Sequence, residues 1–329
     1  MKSVTLRQLR GLVAVARHLS VSRAAEELGL TPPAVSMQLK ELEQQVGAPL
    51  FDRTGRAVTL TTTGEYLLSY ARRILSTLKD AEDAMARLRS LQGGTLTIGL
   101  VGTAQYFMPR LVAAFHAEHP GIDLKLRVGT REQLVASMQG NDVDLAIMSR
   151  PPRELASRAE AFAMHPHVLV TAPRHPFAAM EQVPVAALSR EGFILRETGS
   201  GTRAAWEEFA SEHRLTPRIL MELDSSEAIK QAVIAGMGVS LLSLHTVGTE
   251  LQHGLVAVPD VEGLPVVRRW HVVTTQAKLL APAAEAFREF VIGRGESFLA
   301  SMFPLTLAGA ALRRFSLRRP PPASPTADE

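Results

Sequence analysis

Apolar residues return every three or four positions from the start of the chain. Leu6, Leu9, Val13, Ala16 and Leu19 form one stripe, which predicts a first helix with a single buried face. Ser20-Val21-Ser22 interrupts the stripe, and a serine oxygen there can accept the orphan amide hydrogens of a second helix. Val21, Ala25 and Leu28 give that helix its inner face, and Gly29 is placed to end it. Thr31 and Pro32 signal a third helix, Thr as N-cap and Pro in the first turn. Its buried side is Val35, Leu39, Leu42 and Val46; the opposite side carries Pro33, Met37, Lys40 and Gln44, with Ser36 at the flank. Two short helices across a glycine-containing turn fit a helix-turn-helix over residues 21–40. Leu50-Phe51 and Val58-Thr59-Leu60-Thr61 then flank Thr54-Gly55-Arg56, a strand–turn–strand with Arg53 and Arg56 near its tip. Arginines on such a wing reach phosphates or a minor groove. A three-helix domain with a solvated basic hairpin shows the same pattern, so the pattern alone leaves both readings open.

Thr62-Thr63-Gly64-Glu65 has the spacing of a capping box, with Thr62 as N-cap and Glu65 three residues on. The helix it opens holds Leu67, Ala71, Ile74, Leu78, Ala81, Met85 and Leu88 at steps alternating between four and three. That is the period of a coiled-coil seam, and it runs for about 33 Å. A helix packed on its own domain is the plainer alternative. The strict seven-residue repeat favours pairing with a second copy, which makes these seven residues the candidate dimerisation seam.

After Gln92-Gly93-Gly94 the pattern changes. Strands are expected at Thr95–Val101, Ile122–Val128, Asp144–Met148, Phe193–Arg196, Arg218–Leu223 and Val239–Ser243, with helices between them. Met108, Leu111, Val112 and Phe115 mark one helix, Thr130-Arg131-Glu132-Gln133 opens another with capping-box spacing, and Ser225–Ala235 forms a third. This alternation implies a parallel sheet with helices on its faces. Ligands in such folds sit beyond the carboxyl ends of the strands, where helices begin. Those turns hold Gly102-Thr103, Gly129-Thr130, Met148-Ser149-Arg150 and the stretch from Arg196 through Glu197, Thr198, Gly199, Ser200, Gly201 and Thr202 to Arg203. The last stretch offers close-turning glycines, hydroxyls and an arginine at each end, chemistry that suits a phosphate or carboxylate. A tight turn with surface arginines is the bland alternative. Gly236-Met237-Gly238 reads as a helix C-cap.

Composition narrows the classes. The 329 residues are 46% hydrophobic and 21% charged, ample for more than one domain whose core needs neither disulfide nor structural metal. The absence of cysteine excludes a disulfide framework, a thiolate metal site and a Cys nucleophile. The net charge is +3, and residues 1–62 alone hold eight Lys or Arg against five acids, so the excess lies where the helix-turn-helix is expected. Met1 to Thr5 shows no secretory pattern. The longest uncharged apolar run, Phe298 to Leu312, is about 15 residues and includes Pro304, short of the roughly 20 of a spanning helix. A soluble, cytoplasmic protein with no membrane partner is expected. The common hydrolase, dinucleotide, P-loop and zinc-protease motifs are missing, and no base is identifiable for Ser200. His165-Pro166-His167 could turn two imidazoles to one side of a strand, but an ordinary strand crossing is the simpler reading. No metal or cofactor is called for. Residues 304–329, with Leu312-Arg313-Arg314-Phe315-Ser316-Leu317-Arg318-Arg319 before Pro320-Pro321-Pro322, read as a basic, Pro-rich, disordered tail.

Several of these segments carry a family likeness. Ser22-Arg23-Ala24-Ala25-Glu26-Glu27-Leu28, Pro33-Ala34-Val35-Ser36, Leu42-Glu43, Leu50-Phe51-Asp52-Arg53 and Leu60-Thr61 to Gly64 resemble the N-terminal domain of LysR-type transcriptional regulators. Asn141-Asp142-Val143-Asp144-Leu145-Ala146, Arg150 to Leu155, His165 to Val170, Gly199 to Arg203, Ile229 to Val233 and Ser240 to His245 are similar to one subgroup, the regulators of Calvin–Benson carbon-fixation operons. The resemblance implies an α/β fold class with an N-terminal winged helix-turn-helix of all-α type, a long dimerisation linker helix and a two-lobed α/β effector domain like periplasmic binding proteins. It implies a DNA-binding domain over 1–62, a linker helix over 63–92 and an effector domain over 93–303. Lobe I takes 93–166 and 270–303, lobe II 168–267, with crossings near 166–168 and 267–270. The candidate DNA-binding residues are Ser22, Arg23, Thr31, Pro32, Pro33, Ser36, Met37, Lys40, Arg53 and Arg56. Pro32 stands where the family usually has Gln, which removes a bidentate amide contact to adenine there. The candidate effector residues are Thr103, Thr130, Ser149, Arg150, Glu197, Thr198, Gly199, Ser200, Gly201, Thr202 and Arg203. The implied partners are promoter DNA, a second copy in a dimer or tetramer, RNA polymerase, and a small anionic metabolite such as a sugar phosphate or nicotinamide nucleotide. A regulator of another pathway is the serious alternative. A solute-binding protein would share the cleft but not the first ninety residues, and an enzyme using the Ser200 loop lacks a base.

Overall fold

Three helices open the chain, α1 (Leu6–His18), α2 (Val21–Leu28) and α3 (Pro32–Val46), followed by a small hairpin of β1 (Phe51–Asp52) and β2 (Thr59–Leu60) and the long α4 (Thr62–Arg89). The computed structural model describes residues 4–52, 58–89, 94–276 and 279–303, with side chains in α4 described through 79 and at 81 and 82. Arg53, Arg56 and the 304–329 segment therefore lie outside the described residues, as do the side chains of Met85 and Leu88. Leu9, Leu12, Val15, Ala24, Ala25, Val35, Leu39 and Leu42 make one core with Leu50 and Phe51. Thr5 closes a capping box with Gln8, and Ser20 accepts from the Arg23 amide. Thr31 holds the N-cap position of α3 without a side-chain cap, and Pro32 fills the first turn instead. The start of α4 differs by one residue from expectation: Thr61, not Thr62, caps it, its hydroxyl accepting from the Gly64 amide at 3.0 Å.

The remaining chain alternates strands and helices: β3 (Gly94–Val101), α5 (Met108–Glu118), β4 (Ile122–Gly129), α6 (Arg131–Gln139), β5 (Leu145–Met148) and β6 (Ser157–Val170). Then come β7 (Gly192–Arg196), α7 (Gly201–Glu212), β8 (Arg218–Leu223), α8 (Ser226–Ile234), β9 (Ser240–Ser243), α9 (Gly248–Gln252), β10 (Val266–Thr275) and α10 (Pro282–Met302). The main sheet has the order β4-β3-β5-β10-β6-β9, and β7 pairs with β8 in a second. β3 runs parallel to β4 and β5, but β10 is antiparallel to both β5 and β6. The parallel pairing expected from the alternation holds for β3, β4 and β5 and for β7 and β8, while β6, β9 and β10 add antiparallel pairs that make the main sheet mixed. The chain leaves the first sheet along β6 and returns along β10, and an outgoing and a returning strand side by side must run opposite ways. One core gathers side chains from 96–163 and 270–299, including Phe115 against Phe287 and Phe290. Two others gather residues 168–261 around β7, β9, α7 and α8.

Where β6 and β10 pass between these cores, His165 and His167 are buried to within 1% of full enclosure, with ring centroids 4.2 Å apart. His165 stacks on Trp270 at 4.0 Å, and the Trp270 indole N–H donates to His245 Nδ1 at 3.0 Å. Both imidazoles of the His-Pro-His motif do share one side of the strand. Among the described residues no cluster of His, Cys, Asp or Glu is arranged to hold a metal ion. Burial pushes His167 and His245 down to about 3, helped by the charge of Arg268 at His167 and by the neighbouring imidazole of His167 at His245. A histidine that stays neutral in the fold but takes up a proton once unfolded makes stability fall as pH drops below about 6.5. Urea unfolding followed by tryptophan fluorescence checks this. His167→Leu should reduce the loss of unfolding free energy between pH 7 and pH 5 by about 2 kcal/mol. An unchanged loss would contradict the assignment.

Candidate nucleic-acid interface and ligand cleft

On α3 the burial alternates as the pattern required. Val35, Leu39 and Leu42 are enclosed while Met37 is 60% exposed, with Thr31, Pro32, Pro33 and Lys40 also exposed and Ser36 half-buried. Ser22 and Arg23 are exposed at the start of α2, whose Ala24 and Ala25 are small enough to let α2 pack closely on its neighbours. The structure thus brings these eight residues onto helices of one small domain. Glu43 pins the chain beyond α3, accepting from the amides of Leu50 and Phe51 at 2.9 and 3.4 Å. Gly64 completes the lock, since a Cβ there would lie 2.0 Å from the Leu50 carbonyl oxygen.

The expected dimerisation seam needs correction. Leu67 and Ala71 are buried in the three-helix core, with Leu68 beside them and Leu75 packed against it, so neither Leu67 nor Ala71 is available to a second chain. The first turns of α4 must close their own domain before the helix is free of it. Leu78 is half-buried and Ala81 exposed. Tyr66, Tyr70 and Ile74, four apart, are 70%, 57% and 47% exposed and form the outward apolar face.

The second candidate site is a cavity of 460 Å³ between the two halves of the α/β region. Val101 to Thr103, Gln105, Val128 to Gln133 and Met148 to Arg150 line it from one side. Arg196 to Thr198, Ser200 to Thr202 and Asp224 to Ser226 line it from the other. Three helices start at its wall, and each is capped by a hydroxyl: Thr130 accepts from the Gln133 amide, Ser200 from Arg203 and Ser225 from Ala228, at 3.3, 3.1 and 3.3 Å. The unpaired amides and positive dipole ends of α6, α7 and α8 thereby converge on one volume, an arrangement that attracts anions. The halves meet closely, because a Cβ on Gly201 would lie 2.9 Å from Ser149 Oγ.

Of the expected effector residues, Thr103, Thr130, Ser149, Arg150, Glu197, Thr198, Ser200, Gly201 and Thr202 line the cavity, while Gly199 and Arg203 do not. Gly199, at φ 94°, shapes the turn. Arg203 is turned along α7 and β8, where its guanidinium bonds Glu207 and Glu222 at 2.8 Å and the Arg196 carbonyl at 3.1 Å. Arg131, Gln105, Asp224, Ser225 and Ser226 were not singled out from the sequence. Ser225 was readable as a hydroxyl at a strand-to-helix turn, the same signal that marked Thr130. Arg131 is held by a bidentate pair with Glu154 at 2.8 and 3.0 Å, which draws that carboxyl down to about 2. A separate cavity of 220 Å³ is lined by Tyr106, Arg110, Lys230 and Glu250; there Lys230, almost fully enclosed, lies over the Tyr106 ring at 4.7 Å and bonds Glu227 and Glu250 at 2.7 and 2.6 Å.

Residues 6–65 match the family model of the bacterial regulatory helix-turn-helix proteins of the lysR family, and residues 89–295 match that of the LysR substrate binding domain. The chain belongs to the LysR family of transcriptional regulators. It is 49% identical to the HTH-type transcriptional regulator CfxR of Cupriavidus necator, over 91% of this chain and 94% of that one. It is 46% identical to the RuBisCO operon transcriptional regulator of Allochromatium vinosum, over 88% and 96%. Among solved structures, the Synechocystis CcmR regulatory domain in complex with 2-PG is 38% identical, with a TM-score of 0.58 over 61% of this chain and 96% of that domain. This LysR-type chain is therefore a DNA-binding transcriptional regulator and not an enzyme. If α3 reads DNA through its exposed side, Lys40→Ala should weaken operator binding and lower the salt slope by about one unit. Fluorescence anisotropy across a salt series checks this, and unchanged affinity and slope for both Lys40→Ala and Ser36→Ala would remove this face from the interface.

Proposed function

We propose that this regulator activates a carbon-fixation operon and that the cavity between its lobes takes a small anionic metabolite, a sugar phosphate or nicotinamide nucleotide among them. The observation that carries the operon is the likeness, along nearly the whole chain, to a regulator of a RuBisCO operon. The anionic character of the effector is supported by the three helix N-termini directed at one cavity and by the 2-PG bound to the related CcmR domain. DNA contact falls to Ser22, Arg23, Thr31, Pro32, Pro33, Ser36, Met37 and Lys40, joined by Arg53 and Arg56, which the sequence pattern alone puts forward. Pro33 and Met37 offer apolar contact to thymine methyls, and Lys40 offers a charge to phosphate.

A second copy covers the outward face of α4 at Tyr66, Tyr70 and Ile74, and a dimer places two helix-turn-helix units for paired half-sites. Effector in the cleft changes the angle between lobes and hence the spacing of those units; it acts only through a difference in affinity between the two arrangements. Such a regulator works in the cytoplasm, in contact with RNA polymerase. DNase I footprinting upstream of the RuBisCO genes, with and without 2-PG, ribulose bisphosphate or NADPH, tests this directly. Protection of paired half-sites and a footprint whose length or affinity shifts with one of these anions is expected. No protection beyond that of unrelated DNA would assign the regulator to another pathway, and protection indifferent to every anion would overturn the effector coupling.

A further inference from the structure

Arg196 ends β7 with its guanidinium beneath the cleft, only 8% exposed, and all three of its nitrogens are engaged within the chain. Nε and Nη2 donate to the two carboxylate oxygens of Glu197 at 2.6 and 2.8 Å, and Nη1 donates to Ser226 Oγ at 2.8 Å. Consecutive residues of a strand point to opposite faces, so this neighbour pair requires the chain to leave extended geometry between them. It does so at once. The Glu197 amide donates to the Leu223 carbonyl, the Ser200 amide donates to the Glu197 carbonyl, and Gly199 takes a left-handed φ of 94°. The turn therefore sets a carboxylate on the fork of a buried arginine, in the two-bond arrangement by which guanidinium receives a carboxylate or phosphate. The carboxylate side of the pair is 26% exposed and lines the cleft.

We propose that Glu197 is an internal anion that holds the place of the effector's own anionic group on Arg196, and that it sets the affinity and the anion preference of the cleft. This rests on the reading of the cavity as the effector site. A ligand must then exchange one carboxylate for another on the arginine, so its gain there is a difference rather than a whole bond. A singly charged ligand profits little. A phosphate dianion, able to engage the amides at the starts of α7 and α8 as well, profits more, which makes Glu197 a filter against weakly charged metabolites.

Isothermal titration of the full-length protein with inorganic phosphate, 2-PG and acetate tests the proposal. Glu197→Gln keeps an oxygen to accept from Arg196 but removes the charge, and it should bind phosphate and 2-PG about tenfold tighter. It should also narrow the preference for phosphate over acetate. Glu207→Gln, an equal change of charge on the outer side of α7, should alter either affinity less than about twofold. Arg196→Lys keeps the charge but loses the fork, and should bind about tenfold more weakly. If Glu197→Gln binds no tighter while Arg196→Lys weakens binding, the internal anion is refuted and the cleft reading stands. If Arg196→Lys binds as the native protein does, Arg196 does not receive the ligand and the proposal falls, while the cleft reading is left to the helix starts.

Discussion

The antiparallel ladder between β6 and β10 makes one cleft out of two sheets. From Val266 opposite His167 to Thr275 opposite Ser157, the two strands carry the chain out to a second set of strands and back. Each sheet packs its own helices: α5 and α10 on one side of the crossing, α7 and α8 on the other. Because β3, β4 and β5 end facing the ends of β7 and β8, the helices that follow them begin around a common space. At the His167 end of the ladder the imidazoles of His165 and His167 lie buried side by side. Such enclosure is costly for a polar group; stacking of His165 on Trp270 and the Trp270–His245 hydrogen bond offset part of that cost.

The cleft that results is electrostatically two-sided. Three helix N-termini and the guanidiniums of Arg150 and Arg196 favour an anion, while Glu132, Glu197 and Asp224 at the same wall oppose one. Arg131 is already satisfied by Glu154 and Arg203 by Glu207 and Glu222, so neither offers an uncommitted charge. On the proposed reading, selectivity comes from how a ligand's charge competes with the chain's own carboxylates at these helix starts.

Much of this was legible from residue types at fixed spacing. The three-helix core followed from Val35, Leu39 and Leu42, and the cleft-facing turns followed from hydroxyls placed where strands give way to helices, as at Thr130 and Ser200. Reading the seven-residue repeat of α4 as one seam went too far. A periodic stripe does not say which neighbour covers it, and Leu67 and Ala71 serve their own domain. The antiparallel course of β6 and β10 was hidden by Pro166 and by the paired arginines at 268 and 269, which blunt the strand pattern. Arg203 looked like a ligand group because sequence does not show that Glu207 and Glu222 are waiting beside it. Of the segments that resemble carbon-fixation regulators, 150–155 and 199–203 reach the cleft through Arg150, Ser200, Gly201 and Thr202, whereas 165–170 and most of 240–245 belong to strands beside it.

The central claim is that an anion is received by the starts of α6, α7 and α8. Amide hydrogen exchange of the full-length regulator with and without 2-PG measures it most directly. Protection is expected at residues 129–133, 199–203 and 224–228 together, with smaller changes along β6 and β10. Protection centred instead around Tyr106, Arg110 and Glu250, or none in those three segments at saturating 2-PG, would contradict it.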